Sequence, residues 1–313
     1  MIFTNILRND KTVAASRVRK PKSAFNIGMW ILLGPATILL LAISIYPFLY
    51  LLYSSFFSEN LMMSGIKTFV GLSNFISMFS DPDVISGFIN TLVFVVLSVV
   101  IEMVLGLIIA LILDTDLPGM KIITILFLIP MSITPIVGAL TWKYLLTPPF
   151  GWVDFYLQKF DMMSSPVIWL GNSFTAMASL ILLDVWKWTP FVALILLAGL
   201  KAQPRDALEA ASIDGASNAQ AFRFITLPFL KRFLLIALVL RIIGAFKSFT
   251  GVYGLTGGGP GSSTLLMSLV VYRKALESFQ IGYAAAIGFV FLLVLIVVTT
   301  PLVNILQREI TKN

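Results

Sequence analysis

Charged side chains interrupt the long apolar stretches of this sequence at four positions, Glu102, Asp184, Lys187 and Arg241. A charge at the middle of a lipid bilayer costs roughly 2.5–3.5 kcal/mol on insertion scales, so each one needs a partner or a water-lined cavity. Asp184 and Lys187 are three positions apart and share a helix face, which favours a self-neutralising pair. Arg241 could pair with Glu102 or with Asp184. Such groups either hold helices together or line the path of a polar solute, and the sequence leaves both interpretations open.

Aromatic residues stand close to these charges. Trp186 and Trp188 flank Lys187, and Tyr253 follows the apolar stretch that ends near Lys247. Sugars bind proteins through hydrogen bonds to their hydroxyl groups and by stacking on aromatic rings, so these three rings are candidate solute contacts. Aromatic residues near the ends of spans also act as interface anchors, and Lys247 can snorkel to the interface. Trp188 lies near the middle of its span and Tyr253 near the outer mouth, and the sequence does not choose among the three rings.

Several kinds of chemistry are excluded by residue types that the sequence lacks. Cysteine and histidine are both absent, which excludes thiolate metal sites, zinc hydrolysis and Cys–His or Ser–His–Asp catalysis. No glycine directly precedes a lysine, so the nucleotide-binding pattern GxxxxGK[ST] cannot be formed. We therefore expect a non-catalytic chain that binds no metal and no cofactor of its own. Any energy for uphill transport must come from a partner or an ion gradient.

The elements that position these residues are predicted to be membrane-spanning helices. Of the 313 residues, 58 % are hydrophobic and 12 % are charged, whereas soluble domains carry about 25 % charged residues. Six apolar segments are long enough to cross a hydrocarbon core of about 30 Å. These are 26–53, 89–113, 122–145, 174–200, 229–249 and 281–306. The prediction is an all-α membrane protein with a six-helix domain at 26–306, between tails at 1–25 and 307–313.

Orientation follows from the distribution of lysine and arginine. The segments on the side of the two termini hold 14 of these residues, and the opposite side holds five. Because loops with excess Lys and Arg stay in the cytoplasm, both termini and the segment 204–228 are predicted to be cytoplasmic. The basic residues flank apolar spans, so the net charge of +7 does not indicate nucleic-acid binding.

The segment 204–228 has the local signals of a helix–turn–helix. Pro204 suits the first turn of a helix, and residues 205–213 are mostly good helix formers. Gly215 can adopt the left-handed conformation that ends a helix. Ser217, followed three residues later by Gln220, has the form of a capping box for a second short helix. Pro228 then marks the start of the fifth span.

This segment resembles the EAA loop of ATP-binding-cassette (ABC) importer permeases. The matching residues are Glu209, Ala210, Ala211, Gly215, Ile225, Leu227 and Pro228, with Asp214 directly before the glycine. In that family the loop forms a coupling helix that docks into a cleft of a cytoplasmic ATPase subunit. The resemblance implies the same role for these eight residues. An ordinary amphipathic connector lying on the lipid surface is the alternative.

Other stretches are similar to the carbohydrate-uptake branch of these permeases, in the half that contains maltose and glycerol-phosphate permeases. They are 46–48, 69–75, 90–91, 184–191, 255–261 and 282–286. The resemblance implies the type I importer fold in a bacterial inner membrane and a sugar, polyol or glycerol-phosphate-like solute. It also implies four partner chains: a second permease, two copies of an ATPase that binds ATP and Mg, and an extracytoplasmic solute-binding protein.

The main rival is a secondary transporter or channel that works alone. Such proteins are expected to show inverted repeats or helices interrupted near the middle of the membrane. The sequence gives no sign of either feature, so we expect uninterrupted spans and favour the importer.

Overall fold

The computed structural model describes residues 27–311, except residues 61, 63–65, 116, 149–150, 163–164 and 166. The predicted basic tail at 1–25, Asn26 and the last two residues lie outside the described part. The described chain is mostly helical. It divides into two compact units, one ending at Tyr50 and one beginning at Leu51, and all sites discussed below lie in the second.

The helices and strands have the following bounds. The first half of the chain contains α1 (Ile27–Ser55), β1 (Phe57–Glu59), β2 (Lys67–Phe69), α2 (Ser73–Ser77), α3 (Pro82–Leu113), α4 (Met120–Phe127), α5 (Ile129–Ser132), α6 (Pro135–Leu146) and α7 (Trp152–Lys159). The second half contains α8 (Ser173–Lys201), α9 (Arg205–Ile213), α10 (Asn218–Ala221), α11 (Leu227–Phe246), α12 (Thr250–Leu255), α13 (Met267–Tyr272) and α14 (Ile281–Thr311). Strands β1 and β2 pair antiparallel, with Phe57 opposite Phe69.

Four described helices, α1, α3, α8 and α14, are each long and apolar enough to cross a membrane. The predicted fifth span corresponds to α11, whose 20 residues cover about 30 Å at 1.5 Å per residue. This helix carries Lys231, Arg232 and Arg241, which make it less apolar than the other four. The chain is a multi-pass membrane protein, and the count of six spans stays a prediction.

The expectation of uninterrupted spans is wrong for the third predicted span. Helices α4 and α5 form one half of this segment and α6 forms the other, and the two halves meet at an angle of 93°. The break lies at Ile133 and Thr134, directly before Pro135. Proline has no N–H to donate and forces the preceding residue out of the helical region, and Thr134 is accordingly extended with ψ 130°. The segment is a broken span or a re-entrant loop.

Three other predicted boundaries differ from the structure by more than two residues. One is the end of the sixth span, since α14 continues to Thr311 and includes most of the predicted tail at 307–313. Helix α3 begins at Pro82 rather than at residue 89, because Asp81 caps it by accepting a hydrogen bond from the Asp83 N–H. The prediction places the start at the first apolar residues of the span, but a helix begins at its cap even where its first turns are polar. Helix α11 ends at Phe246, three residues before the predicted end of the fifth span, and the chain turns before α12.

The core of the second unit forms where α3 packs along α8. Phe94 on α3 and Leu180 and Leu196 on α8 are almost fully buried. Gly106 permits a close approach of the two helices, because a Cβ atom added there would lie 2.6 Å from Val192 Cγ1. Small residues at such positions are the usual basis of tight helix packing in membranes, where apolar burial alone gives no preference for protein over lipid.

Ion pairs join the helices at each end of the bundle. Lys201 and Asp114, with Nζ and Oδ1 3.2 Å apart, join the last residues of α8 to the residue that follows α3. Lys231 and Glu309, 2.8 Å apart, join the start of α11 to the last turns of α14. The helices α9 and α10 with their turn (residues 205–221) lie at this end, called the hairpin end below. At the opposite end Lys274 contacts Asp81, directly before α3.

Candidate functional site

A buried charge cluster joins three of the long helices. The Arg241 guanidinium on α11 donates two hydrogen bonds to the Glu102 carboxylate on α3, from Nε to Oε2 and from Nη2 to Oε1. Its Nη2 also donates to Asp184 Oδ2 on α8 at 2.8 Å. Glu102 and Arg241 are 0 % and 2 % exposed. The sequence left two partners open for Arg241, and the structure shows that it binds both.

Lys187 does not form the self-neutralising pair with Asp184 that the sequence favoured. Its Nζ donates instead to the Ile133 carbonyl oxygen at 2.7 Å, at the break between α5 and α6. Asp184 accepts from Arg241, so both members of the expected pair are satisfied by other elements. Ile133 lies outside both helices in an extended conformation, which leaves its carbonyl to accept from a side chain. Lys187 therefore bridges α8 to the broken third span.

The Trp188 ring lies against the charge cluster. The Arg241 guanidinium carbon is 4.9 Å from the ring centroid, and the Lys187 Nζ is 6.0 Å from it. Both distances are within the range of cation–π attraction. Trp186, in contrast, packs on Trp142 with ring centroids 5.8 Å apart. Of the two tryptophans, only Trp188 is in contact with the charged groups.

A cavity of about 170 Å³ opens beside Trp188 and the cluster. Its polar and aromatic lining comes from α8 and from the end of α11 with the residues that follow it. These lining residues are Asp184, Lys187, Trp188, Lys247, Ser248, Phe249 and Thr250. The break in the third span contributes Pro135. Three of the four sequence-predicted residues on α8 therefore line one cavity, and Trp186 does not.

Glu102, Arg241 and Tyr253, predicted on other segments, do not line this cavity either. Glu102 and Arg241 belong to the same cluster but lie behind Asp184, within the core. Tyr253, 47 % exposed, stacks on Phe249 with ring centroids 5.4 Å apart and meets Tyr272 at 5.6 Å. It is one ring removed from the cavity wall.

At the hairpin end, the segment 204–228 folds as its sequence predicts. Pro204 precedes α9 as its N-cap, and Gly215 is left-handed with φ +77°. The Ser217 Oγ accepts from the Gln220 N–H, while the Gln220 side chain accepts from the Ser217 N–H, so the capping box is present. A π-helical turn, Phe222–Thr226, then leads into α11.

The surface of this hairpin is exposed on the side that carries the matched residues. Glu209, Ala210, Asp214 and Gly215 are exposed, and so is Pro228 at the start of α11. Ile213, at the end of α9, is 86 % exposed. Ala211, Ile225 and Leu227 are half-buried and form the base of the hairpin.

Comparison with known families identifies the chain. Residues 102–312 match the model of the binding-protein-dependent transport system inner membrane component family. This match covers most of the chain, including the charge cluster and the hairpin. The chain belongs to this family of permeases.

Relatives and solved structures agree with that assignment. The permease is 34 % identical to a probable ABC transporter permease protein, y4oQ, of Sinorhizobium fredii, over 94 % of each chain. It is 40 % identical to the trehalose/maltose transport system permease protein MalF of Thermococcus litoralis, over 73 % of this chain and 77 % of the relative. A bacterial alginate ABC transporter solved with an alginate-bound periplasmic protein contains a chain of the same fold, with a TM-score of 0.77 at 23 % identity over 91 % and 95 % of the two chains.

The end of the permease opposite the hairpin carries a second polar cluster. Asp81 Oδ2 accepts from Lys274 Nζ at 2.7 Å and from the Tyr283 hydroxyl at 3.0 Å. Burial acts to raise the pKa of Asp81, but the hydrogen bonds from Lys274 and Tyr283 and the charge of Lys274 outweigh it. The net result is a pKa below the ordinary value of 3.8. This cluster holds the starts of α3 and α14 against the turn after α13.

Sequence reasoning missed the cavity residues Lys247, Ser248, Phe249 and Thr250 of the permease. The sequence indicated only a snorkelling role for Lys247, and no pattern pointed to the other three. The available signal was the pair of prolines at 130 and 135, since an interrupted span marks a cavity that other elements must line. The residues at the end of α11 become candidates only once that break is known.

Proposed function

We propose that this permease forms, with a second permease chain, the translocation path of an ATP-driven importer in the bacterial inner membrane. The solute is a sugar, a polyol or a glycerol-phosphate-like molecule. The class rests on the named relatives, which include permeases for trehalose/maltose and for sulfoquinovosyl glycerol. A separate ATPase, present in two copies, binds ATP and Mg, and an extracytoplasmic solute-binding protein delivers the solute.

In this proposal the chain crosses the membrane six times and keeps both termini in the cytoplasm. The hairpin end is then cytoplasmic, in agreement with the excess of lysine and arginine in its loops. The opposite end, with the Asp81–Lys274 pair, faces the solute-binding protein. The broken third span counts as one crossing.

The exposed hairpin is the observation that carries the coupling role. It presents small side chains, Ala210 among them, beside the exposed Ile213, and the left-handed Gly215 sets the turn between its two helices. Small residues permit close approach of another backbone, and the exposed Ile213 beside them offers that partner an apolar contact. We assign Glu209, Ala210, Ala211, Asp214, Gly215, Ile225, Leu227 and Pro228 to the contact with the ATPase.

The topology gives the hairpin a direct connection to the solute path. Helix α8 leads into the hairpin and carries Asp184, Lys187 and Trp188, while α11 leads out of it and carries Arg241. Closure of the ATPase on ATP would move both helices. To drive the change, ATP must bind the closed state more tightly than the open one.

The test replaces Gly215 by proline in the importer purified with its ATPase. Proline cannot adopt φ +77°, so the turn cannot form, while the spans are unchanged. We expect normal membrane insertion but no ATP-driven uptake. A glycine-to-proline change elsewhere, such as Gly288→Pro, is unsuitable as a control because it would damage a span. The control is therefore Ala219→Ser, which keeps α10 and should leave uptake unchanged. Normal uptake by the Gly215→Pro variant would refute the coupling role.

The broken third span keeps a second candidate function under consideration, a secondary transporter that works alone. Interrupted helices often hold solutes or ions in such proteins. Uptake measured in vesicles with the ATPase omitted distinguishes the two, since only a secondary transporter would still accumulate solute under an ion gradient.

A further inference from the structure

The cavity beside Trp188 has an unbalanced charge. The groups behind and beside it include two carboxylates, Glu102 and Asp184, and two cations, Arg241 and Lys187, so these four charges sum to zero. Lys247, at the end of α11, also lines the cavity. In the described part of the chain no salt bridge joins Lys247 to a carboxylate. The groups around the cavity therefore carry one more positive charge than negative.

The rest of the lining suits a sugar that carries a negative charge. Ser248 and Thr250 place hydroxyl groups at the wall, and Trp188 and Phe249 supply aromatic faces. The second ammonium, Lys187, is held in place by the Ile133 carbonyl and uses one of its three donors there. A volume of about 170 Å³ is below the roughly 300–1,000 Å³ of ordinary ligand pockets, which favours one sugar unit over an oligosaccharide.

We propose that this cavity binds one sugar unit bearing an anionic group, such as a carboxylate, sulfonate or phosphate, and that Lys247 contacts that group. The inference rests on the proposed function, since it names the solute class of the same path. The aromatic faces and hydroxyls bind the ring, and Lys247 selects a charged sugar over a neutral one. A lysine is sufficient for this contact, since an ammonium binds an anionic group as a point charge and does not need the two parallel hydrogen bonds that an arginine makes.

Another account of Lys247 makes a different prediction. Lysine at the C-terminal end of a helix is favoured by the helix dipole, and its long side chain can reach the membrane interface. In that account the charge faces headgroups or water, and replacing it affects all sugars equally. A preference for charged sugars that depends on Lys247 would distinguish the two accounts.

The experiment measures equilibrium binding of radiolabelled glucuronate and glucose to the assembled importer in detergent, with no solute-binding protein present. These probes differ only at C6, where glucuronate carries a carboxylate in place of the hydroxymethyl group of glucose. We expect the wild type to bind glucuronate about tenfold or more tightly than glucose, the range for a hydrogen bond to a charged group. The Lys247→Gln variant should lose this preference and still bind glucose, and Lys247→Arg should keep it. The control is Lys159→Gln on the exposed face of α7, which should behave as the wild type.

Each other outcome overturns a defined claim. Equal binding of the two sugars by the wild type, or a preference that survives Lys247→Gln, overturns this inference and leaves the importer assignment intact. Binding of neither sugar overturns the inference together with the assignment of the cavity to the solute path. Loss of the ATPase on purification, a separate measurement, would overturn the proposed function itself.

Discussion

Replacing Arg241 by methionine tests the buried charge cluster most directly. The change removes the Arg241 guanidinium that Glu102 and Asp184 share, and it leaves both buried carboxylates without this positive partner. Three hydrogen bonds are lost, and at the average of about 0.6 kcal/mol measured for such bonds within membranes this amounts to about 1.8 kcal/mol. Breaking a buried ion pair from one side costs about 3–5 kcal/mol in soluble proteins. We therefore expect the free energy of unfolding to fall by at least about 2 kcal/mol.

The assay is equilibrium unfolding of the purified chain in mixed micelles of increasing SDS fraction, followed by far-ultraviolet circular dichroism. The matched control is the triple variant Glu102→Gln, Asp184→Asn, Arg241→Met, which removes all three charges and keeps the side-chain volumes close. Because no carboxylate is then stranded, its stability should recover most of the loss. The reasoning fails if Arg241→Met stays within about 1 kcal/mol of the wild type, or if the triple variant is as unstable as the single one.

Two further predictions concern packing and pH. Gly106→Ala should lower the free energy of unfolding by about 1–3 kcal/mol, because the new Cβ would lie 2.6 Å from the Val192 side chain. The control Gly288→Ala should be nearly neutral in the same assay, because the nearest atoms to its new Cβ are 3.9 Å away. The pKa of Asp81 is lower in the folded state than in the unfolded state. Its ionised carboxylate therefore adds to the free energy of unfolding above the unfolded-state pKa, and this contribution is lost as the pH falls through the folded-state pKa. Asp81→Asn should therefore be less stable than the wild type at pH 7 and pH 5, and the difference should vanish only below about pH 3.8; a difference already lost at pH 5 would contradict this account.

The hairpin could be predicted residue by residue, because its signals are local. A proline at the start of a helix, a glycine after it and a capping box each act within a few residues of the chain. The structure begins and ends α9 at Arg205 and Ile213, as the sequence predicts. Nothing distant competes with these signals, since the hairpin surface is exposed.

The charge cluster could be predicted only as a set of residues, because its pairing is set by tertiary contacts. Sequence spacing favoured Asp184 with Lys187, but neighbours on a helix face interact by only a few tenths of a kcal/mol. A buried guanidinium that meets a carboxylate with two hydrogen bonds outweighs this, and so Asp184 binds Arg241 from a helix 57 positions away in the chain. Lys187 could bind the third span only because that span is broken at Ile133, which hydropathy alone does not reveal.

The same cluster determines how movement of the hairpin would reach the cavity. Asp184 lies 17 residues from the end of α8, about 25 Å, and Arg241 lies 14 residues from the start of α11, about 21 Å. The Asp184–Arg241 ion pair joins two helices that also meet at the hairpin, so in the proposed importer it would make them move together. Helix α8 also contacts the broken third span, through the Lys187–Ile133 hydrogen bond and the Trp186–Trp142 ring pair. The cavity lies next to both contacts, since its lining includes Asp184, Lys187 and Pro135. An Arg241→Met importer should therefore still hydrolyse ATP but move less solute for each ATP, and an unchanged ratio of uptake to hydrolysis would show that α8 and α11 need no link to transmit the motion.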